Sequence, residues 1–234
     1  MLVSERPAIP DRVNRVEPTA STGLRRALPA DRARTVETVV AAFAPDPAWS
    51  YLTAGEYERV APLLAGALFD SRVDSGHVWL SGDGAAVAMW EPPRATPSAD
   101  SAAIWRAFRR AAGASVAERV AIYNGSLAAA APSEPHWYLG TLATHPERQR
   151  EGLATSTLAP VLAVADADDL PCCLETSTEA NRRFYAGRGF LVASDITTPG
   201  GPPVWWLTRP ATRARAAPRT RCDGSGGTCR PDAP

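Results

Sequence analysis

The chain reads as a single α/β (α+β) domain, in which a mixed, largely antiparallel sheet of about seven strands is flanked by helices. Three observations predict it. Residues 139–190 run as an apolar strand, a Gly-bearing turn, a helix, a second strand and a short helix, an alternation that layers helices on a sheet. Residues 76–80 and 85–90 are two apolar runs separated by Ser81-Gly82-Asp83-Gly84, the pattern of a β-hairpin. A further strand pair, residues 191–196 and 204–208, brackets the Pro- and Gly-rich residues 198–203.

In chain order, residues 1–20 carry Pro7, Pro10 and Pro18 among charges with no apolar period, and are expected to be disordered. Residues 22–28 can form a first strand. From Asp31 onward Val36, Val39, Val40 and Phe43 recur at helical spacing, and Pro45 and Pro47 stop that helix. Trp49, Tyr51 and Leu52 then fall in a short irregular link before a second amphipathic helix over 56–69. Aromatic side chains in such a link either line a pocket or pack the helices together. In the hairpin that follows, alternation favours Val and Trp in the core. Pro92, Pro93 and Pro97 mark a loop, after which Ile104, Trp105 and Phe108, then Val116, Val120, Ile122 and Tyr123, predict one or two helices before Pro132. Arg106, Arg109 and Arg110 read most simply as a solvated face.

Residues 136–144 are aromatic and β-branched between prolines, which predicts a strand. Thr155, Leu158, Val161, Leu162 and Ala165 predict a helix starting near Glu151. Pro160 inside it deletes one backbone bond, and should bend the helix or mark its wet side. A strand over 171–176 leads to a helix for which Thr176 and Glu179 supply a capping box and Gly187 a stop. On that helix Asn181 and Tyr185, four residues apart, share a face, whereas Phe184 points off it and reads as core. Residues 211–234 are Arg, Pro and Gly with little apolar content, and are expected to be a disordered tail.

Composition excludes several function classes. The 25 basic residues balance 25 acidic ones, so no basic footprint asks for nucleic acid. All 25 are Arg, and without Lys there is no Walker-type phosphate loop, Schiff-base chemistry or lysine base. No stretch reaches the ~18 apolar residues of a membrane span, and residues 1–7 lack a signal-peptide core, so a soluble, cytoplasmic protein is expected. Cys172 and Cys173 are adjacent in a strand, which fits a reducing compartment, and Cys222 and Cys229 lie in the tail. The histidines are scattered, so no metal site is expected.

The turn at Gln149-x-x-Gly152-x-Ala154 leaves backbone N–H groups at a helix N-terminus, where the dipole also favours an anion, so it reads as a phosphate seat or as a steric convenience. Together with Asn181-x-x-Phe184-Tyr185-x-x-x-Gly189-Phe190 it resembles the GNAT acetyltransferase superfamily, whose motifs Q/R-x-x-G-x-G/A and N-x-x-F-Y-x-x-x-G-F stand complete and in order. Residues 22–209 share this resemblance. Within the superfamily, Leu174-Glu175-Thr176-Ser177, Asp83 to Trp90 and Ala41-Ala42-Phe43-Ala44 look most like the puromycin N-acetyltransferases.

The resemblance implies an acetyltransferase domain over 21–210, GNAT-like, with its central strands splayed to admit acetyl-CoA as co-substrate. It implies that Gln149, Arg150, Glu151, Gly152, Leu153, Ala154 and Thr155 hold the pyrophosphate through their backbone. Leu142, Ala143 and Thr144 would pair with the pantetheine arm, which Asn181 also serves. Glu151 sets a carboxylate beside the phosphates, which is unfavourable unless its side chain turns outward. Tyr185, a phenol, is the general acid for the departing thiolate. The strand at 136–144 carries no carboxylate, so Glu175 is the best side chain for the base; a water chain, or Glu175 gripping the acceptor's ammonium, are the alternatives. Trp49, Tyr51, Trp90 and Tyr123 would line the acceptor pocket. The expected acceptor is a small-molecule primary amine, an aminonucleoside or other antibiotic among them, and the enzyme is a monomer or homodimer that binds neither nucleic acid nor membrane. O-acetylation, protein N-terminal acetylation and a non-catalytic CoA-binding module are the rivals.

Overall fold

The structure is a computed structural model that describes residues 23–96 and 98–213, together with the backbone of a two-residue ladder, Thr220–Arg221 with Arg230–Pro231. The expected disordered segment 1–20, most of the tail 211–234, and Cys222 and Cys229 lie outside the described residues. The elements run β1 (Arg25–Arg26), α1 (Arg32–Phe43), α2 (Pro47–Leu52), α3 (Tyr57–Asp70), β2 (Val78–Ser81), β3 (Ala86–Glu91), α4 (Ala99–Ala112), α5 (Ala114–Ala130), β4 (Trp137–Thr144), α6 (Leu153–Ala167), β5 (Cys172–Thr176), α7 (Glu179–Ala186), β6 (Leu191–Thr197) and β7 (Pro203–Arg209). The seven strands form one sheet in the order β1-β2-β3-β4-β5-β7-β6, antiparallel at every junction except β4–β5.

Both faces of the sheet are covered, which is why β2 and nearly all of β3 are buried rather than alternating. Val78, Leu80, Val87 and Met89 point into the core under α1, α3 and α5, while Trp79, Ala88 and Trp90 point into the core under α6. Full burial of such side chains contributes about 1.5–3 kcal/mol each, so the two cores fix the strand register.

The loop expected at Trp49, Tyr51 and Leu52 is instead the short helix α2. Pro47 occupies its first turn, where a missing N–H costs nothing, and the Asp46 carboxylate accepts from the Ala48 and Trp49 amides at 2.9 and 3.1 Å. The prolines end one helix and begin the next. The strand expected over 22–28 is only the pair Arg25–Arg26. Gly113, at φ +95°, separates α4 from α5. Pro160 is buried, so it does not mark a wet side of α6.

Two irregularities open the sheet. β4 and β5 pair only at Trp137–Cys172 and Tyr138–Cys173, so beyond Tyr138 the β5-facing edge of β4 is unpaired. In the β3–β4 ladder Met89 opposes Thr141 and Trp90 opposes Leu139, which leaves Gly140 as the extra residue of a bulge. The bulge inverts the alternation of β4: Trp137 and Leu139 point to the α6 side before it, Leu142 after it. The strand is thereby bent where it parts from β5.

Candidate active site

Two cavities meet in that gap. The first, of about 480 Å³, runs along the start of α6; the second, of about 500 Å³, lies under α1, α2, α3 and α5. Phe43, Asp46, Leu142, Asn181 and Tyr185 line both, so these side chains form the boundary between them.

The first cavity is built by the loop before α6. Arg150 and Gly152 both adopt left-handed backbone, at φ +68° and +81°, and this pair of turns aims the intervening peptides at the helix start. The first backbone bond of α6 is from the Ser156 amide to the Gly152 carbonyl, at 3.1 Å, so the amides of Gly152, Leu153, Ala154 and Thr155 donate to no described group. A methyl group placed on Gly152 would meet no protein atom within 4 Å, so the space over the turn is open. Gln149 closes the loop through Nε2 to the Thr144 carbonyl at 3.5 Å.

Ten of the eleven residues expected to hold the donor line this cavity: Leu142, Ala143, Thr144, Gln149, Arg150, Gly152, Leu153, Ala154, Thr155 and Asn181. Glu151 does not. Its carboxylate turns out to Arg148, with Nη2–Oε2 at 2.7 Å, an ion pair three residues apart on the exposed side of the loop. Arg148 and Arg188 also line the cavity, unsuspected from the sequence. Arg188 donates to the Thr155 hydroxyl and, at 2.7 Å, to the Phe184 carbonyl, and its guanidinium lies 3.5 Å from the Phe184 ring centroid. Phe184 is half-buried: it packs against the α6-side core, as expected, and also forms a wall of the cavity. Its neighbouring Arg is the sequence signal that could have found it.

Thr178, not Thr176, caps α7: its Oγ1 accepts from the Asn181 amide at 3.3 Å, and Thr176 ends β5 buried. The cap sets the helix so that Tyr185 packs edge-on to Phe190, 5.6 Å between centroids, while still lining both cavities. The Tyr185 hydroxyl makes no hydrogen bond to a described residue. Burial raises its pKa, so the phenol stays protonated at neutral pH.

The second cavity is aromatic and acidic. Phe43, Trp49, Trp105, Tyr123, Tyr138 and Trp206 supply rings; Asp46, Glu91 and Glu175 supply carboxylates. Two residues expected on this wall are elsewhere. Trp90 is wholly buried on the α6 side of the sheet, because β3 alternation sends Met89 to the cavity side and Trp90 away. Tyr51 turns its hydroxyl to the Pro199 carbonyl at 3.1 Å and its ring under Arg119, where it ties α2 to α5 and to the β6–β7 loop. Trp49 and Tyr123 do line the cavity.

Glu175 follows Cys173 by two residues on β5 and so faces this cavity. Burial, the larger effect, pushes its carboxyl up to about 7, against the hydroxyl of Tyr138, which donates to Oε2 at 2.6 Å. A carboxyl of that pKa exchanges a proton near neutrality, as a general base must. Asp46 was not foreseen either: besides capping α2 it accepts from the Ser177 hydroxyl at 3.0 Å, and burial raises its pKa.

Residues 78–190 match the Acetyltransferase (GNAT) family model. Over that segment the chain carries a GNAT acetyltransferase domain. It is an acyltransferase, from a family that generally uses acetyl-CoA as acetyl donor. Solved structures share the fold. An acetyltransferase from Corynebacterium glutamicum, described as histone acetyltransferase HPA2 and related acetyltransferase, superposes with a TM-score of 0.56 at 22% identity, over 82% of this chain and 97% of its own. Arylalkylamine N-acetyltransferase 2 from Aedes aegypti gives 0.58 at 11% identity, over 81% and 99%. The Drosophila melanogaster polyamine N-acetyltransferase, which forms N-acetylagmatine, gives 0.53 at 12% identity, over 80% and 99%. The GNAT domain here thus has a seven-stranded open sheet flanked by helices, as expected. No helix among the described residues is long and apolar enough to cross a membrane.

Proposed function

We propose that this GNAT domain acetylates the primary amine of a small, cationic, aromatic molecule, with an aminonucleoside or another amine-bearing antibiotic as the acceptor class, in the cytoplasm. One observation carries the reading: a carboxyl tuned to about 7 and a neutral phenol stand on two cavities that share a wall, one offering free amides, the other rings and carboxylates. The donor cavity fits acetyl-CoA. Free N–H groups at the start of α6, with Arg148, Arg150 and Arg188 beside them, suit a diphosphate, and the open edge of β4 suits the amides of a pantetheine arm.

Acetyl-CoA supplies an acetyl group activated as a thioester. Glu175 Oε1 takes a proton from the ammonium or from the amine as its nitrogen bonds to the acetyl carbon. The Tyr185 hydroxyl donates to the sulfur as the carbon–sulfur bond breaks, the amide and free thiol leave, and the proton on Glu175 passes back to the phenolate through solvent, which restores both residues. Because burial makes the phenol a weaker acid, its contribution is foremost a hydrogen bond to developing negative charge. Rings in the acceptor cavity favour a flat cation, whose charge Asp46, Glu91 and Glu175 would balance. That the mosquito and fly enzymes act on arylalkylamines and polyamines supports an amine acceptor.

The test is thiol release with purified protein, acetyl-CoA and a panel of aminonucleosides, arylalkylamines and aliphatic diamines, with the product identified by mass. Acetyl-CoA-dependent release with aromatic primary amines is expected. Absence of thiol release across the panel, or ester products only, would overturn the assignment.

A further inference from the structure

The Glu175 carboxylate does not stand alone. Tyr138, on β4, is the residue at which the β4–β5 ladder ends, and its side chain lies on the sheet face that its partner Cys173, and so Glu175, also shows. Its hydroxyl donates to Glu175 Oε2 at 2.6 Å. Its ring lies on Trp206 of β7, with centroids 5.8 Å apart and planes 8° from parallel. Three neighbouring strands thus clamp one phenol: β4 carries it, β7 stacks it, and β5 receives its hydrogen bond. A two-ring stack restricts the torsions that would let the hydroxyl swing away. No described side chain besides Tyr138 donates to this carboxylate, to which the Glu175 backbone amide adds a weaker hydrogen bond. Both Tyr138 and Glu175 line the acceptor cavity.

We propose that Tyr138 is a positioning residue that fixes the Glu175 carboxylate for proton abstraction and favours its ionised form. The proposal rests on the reading of Glu175 as base. A hydrogen bond donated to the charged form of a buried acid stabilises that form, and a fixed Oε2 presents Oε1 in one direction only. Other groups facing Glu175 are Arg72, after α3, and Glu91, on β3, which form an ion pair with each other, and the phenols of Tyr123 on α5 and Tyr185 on α7. Arg72 favours the carboxylate and Glu91 opposes it, so their effects partly offset each other; of the two hydrogen bonds to the carboxylate, that from Tyr138 outweighs that from the Glu175 amide.

Tyr138→Phe removes the hydroxyl and keeps the ring stack. The pH profile of kcat/KM for the acceptor should then keep its shape while its acid limb moves upward, by ~1 unit, as expected for loss of one hydrogen bond to a carboxylate. The ratio of kcat/KM at pH 6.5 to that at pH 9 should fall about five- to tenfold, with KM for acetyl-CoA little moved. A site-specifically placed ring-fluorinated tyrosine at 138, a stronger donor of nearly the same size, should move the limb downward, and it tests the idea even if the Phe variant is poorly folded. A limb that stays in place in both variants would overturn the role of Tyr138, whether or not overall activity fell. Glu175→Gln separates the two readings: if it retains the limb, Glu175 is not the base; if it loses the limb while Tyr138→Phe leaves it unmoved, the base stands and the positioning role fails.

Discussion

Glu175 in the acceptor cavity and Tyr185 on the wall that both cavities share are assigned opposite proton traffic, and each can be tested alone. With a carboxyl at about 7, the ionised fraction of Glu175 rises through neutral pH, so kcat/KM should rise across that range. Glu175→Gln should lower kcat/KM by about 10²-fold or more and flatten that limb, read by steady-state rates across pH. The same shift has a consequence for folding. Folding raises this carboxyl from 4.5 to about 7, so between those values the folded state binds the extra proton. The stabilisation is present in full below about 4.5 and is lost as pH rises through about 7. Denaturant midpoints of the wild type should therefore gain on those of Glu175→Gln as pH is lowered through that window. Tyr185→Phe should lower kcat by about 10²-fold while acetyl-CoA affinity, read by calorimetry, changes little, since the ring packing against Phe190 is kept. Neither residue's role needed the structure to be suspected, but Tyr138 and Asp46 did. Nothing in the sequence tells a strand tyrosine hydrogen-bonded to a carboxylate 37 positions later from a core tyrosine, and an Asp between two prolines reads as loop.

At the scale of elements, local chemistry was legible wherever one signal acted alone. Helix α7 and its stop at Gly187 follow from spacing, yet two threonines competed for its cap, and Thr178 prevailed because Thr176 is held in the β5–β7 ladder opposite Trp205. Helix α2 was missed because Pro45 and Pro47 end a helix as readily as they begin one. The bulge at Gly140 left no trace that an ordinary strand glycine would not leave. The turn into α6 is the element on which the donor reading depends. Gly152→Ala forces a side chain into left-handed backbone, at a cost of about 1–2 kcal/mol, and collides with no protein atom. The melting temperature should drop by only a few degrees. KM for acetyl-CoA should nevertheless rise several-fold, because the added methyl occupies space above amides that no described group uses. An unchanged KM would separate this turn from the donor.

Over the whole molecule, the sheet divides two kinds of aromatic residue that the sequence could not sort. Aromatic identity announces burial, whereas membership of a cavity wall depends on which face of the sheet a strand position shows, and that is fixed by pairing with distant strands. Residues 78–190, the part matched to the family, supply Glu175 and all of the donor cavity except Ala42, Phe43 and Asp46; the acceptor cavity draws more heavily on α1, α2 and α3 from outside it. On the proposed reading, acceptor choice therefore rests largely on the part of the chain where motifs are weakest, because which rings reach that cavity depends on long-range pairing rather than on local spacing. The division makes a prediction. Trp90, wholly buried among Trp79, Trp137 and Leu158 on the α6 side, should act through stability alone. Trp49, stacked on Phe43 with centroids 4.6 Å apart, stands on the acceptor cavity. Trp90→Leu should cost about 3 kcal/mol by leaving a cavity in the core, with acceptor KM unchanged in the protein that remains folded. Trp49→Leu should raise acceptor KM about tenfold, the loss of about 1.4 kcal/mol of ring contact, at a smaller cost in melting temperature. Thermal melts and acceptor titrations on the two variants would show the opposite ranking if the substrate instead bound on the α6 side of the sheet.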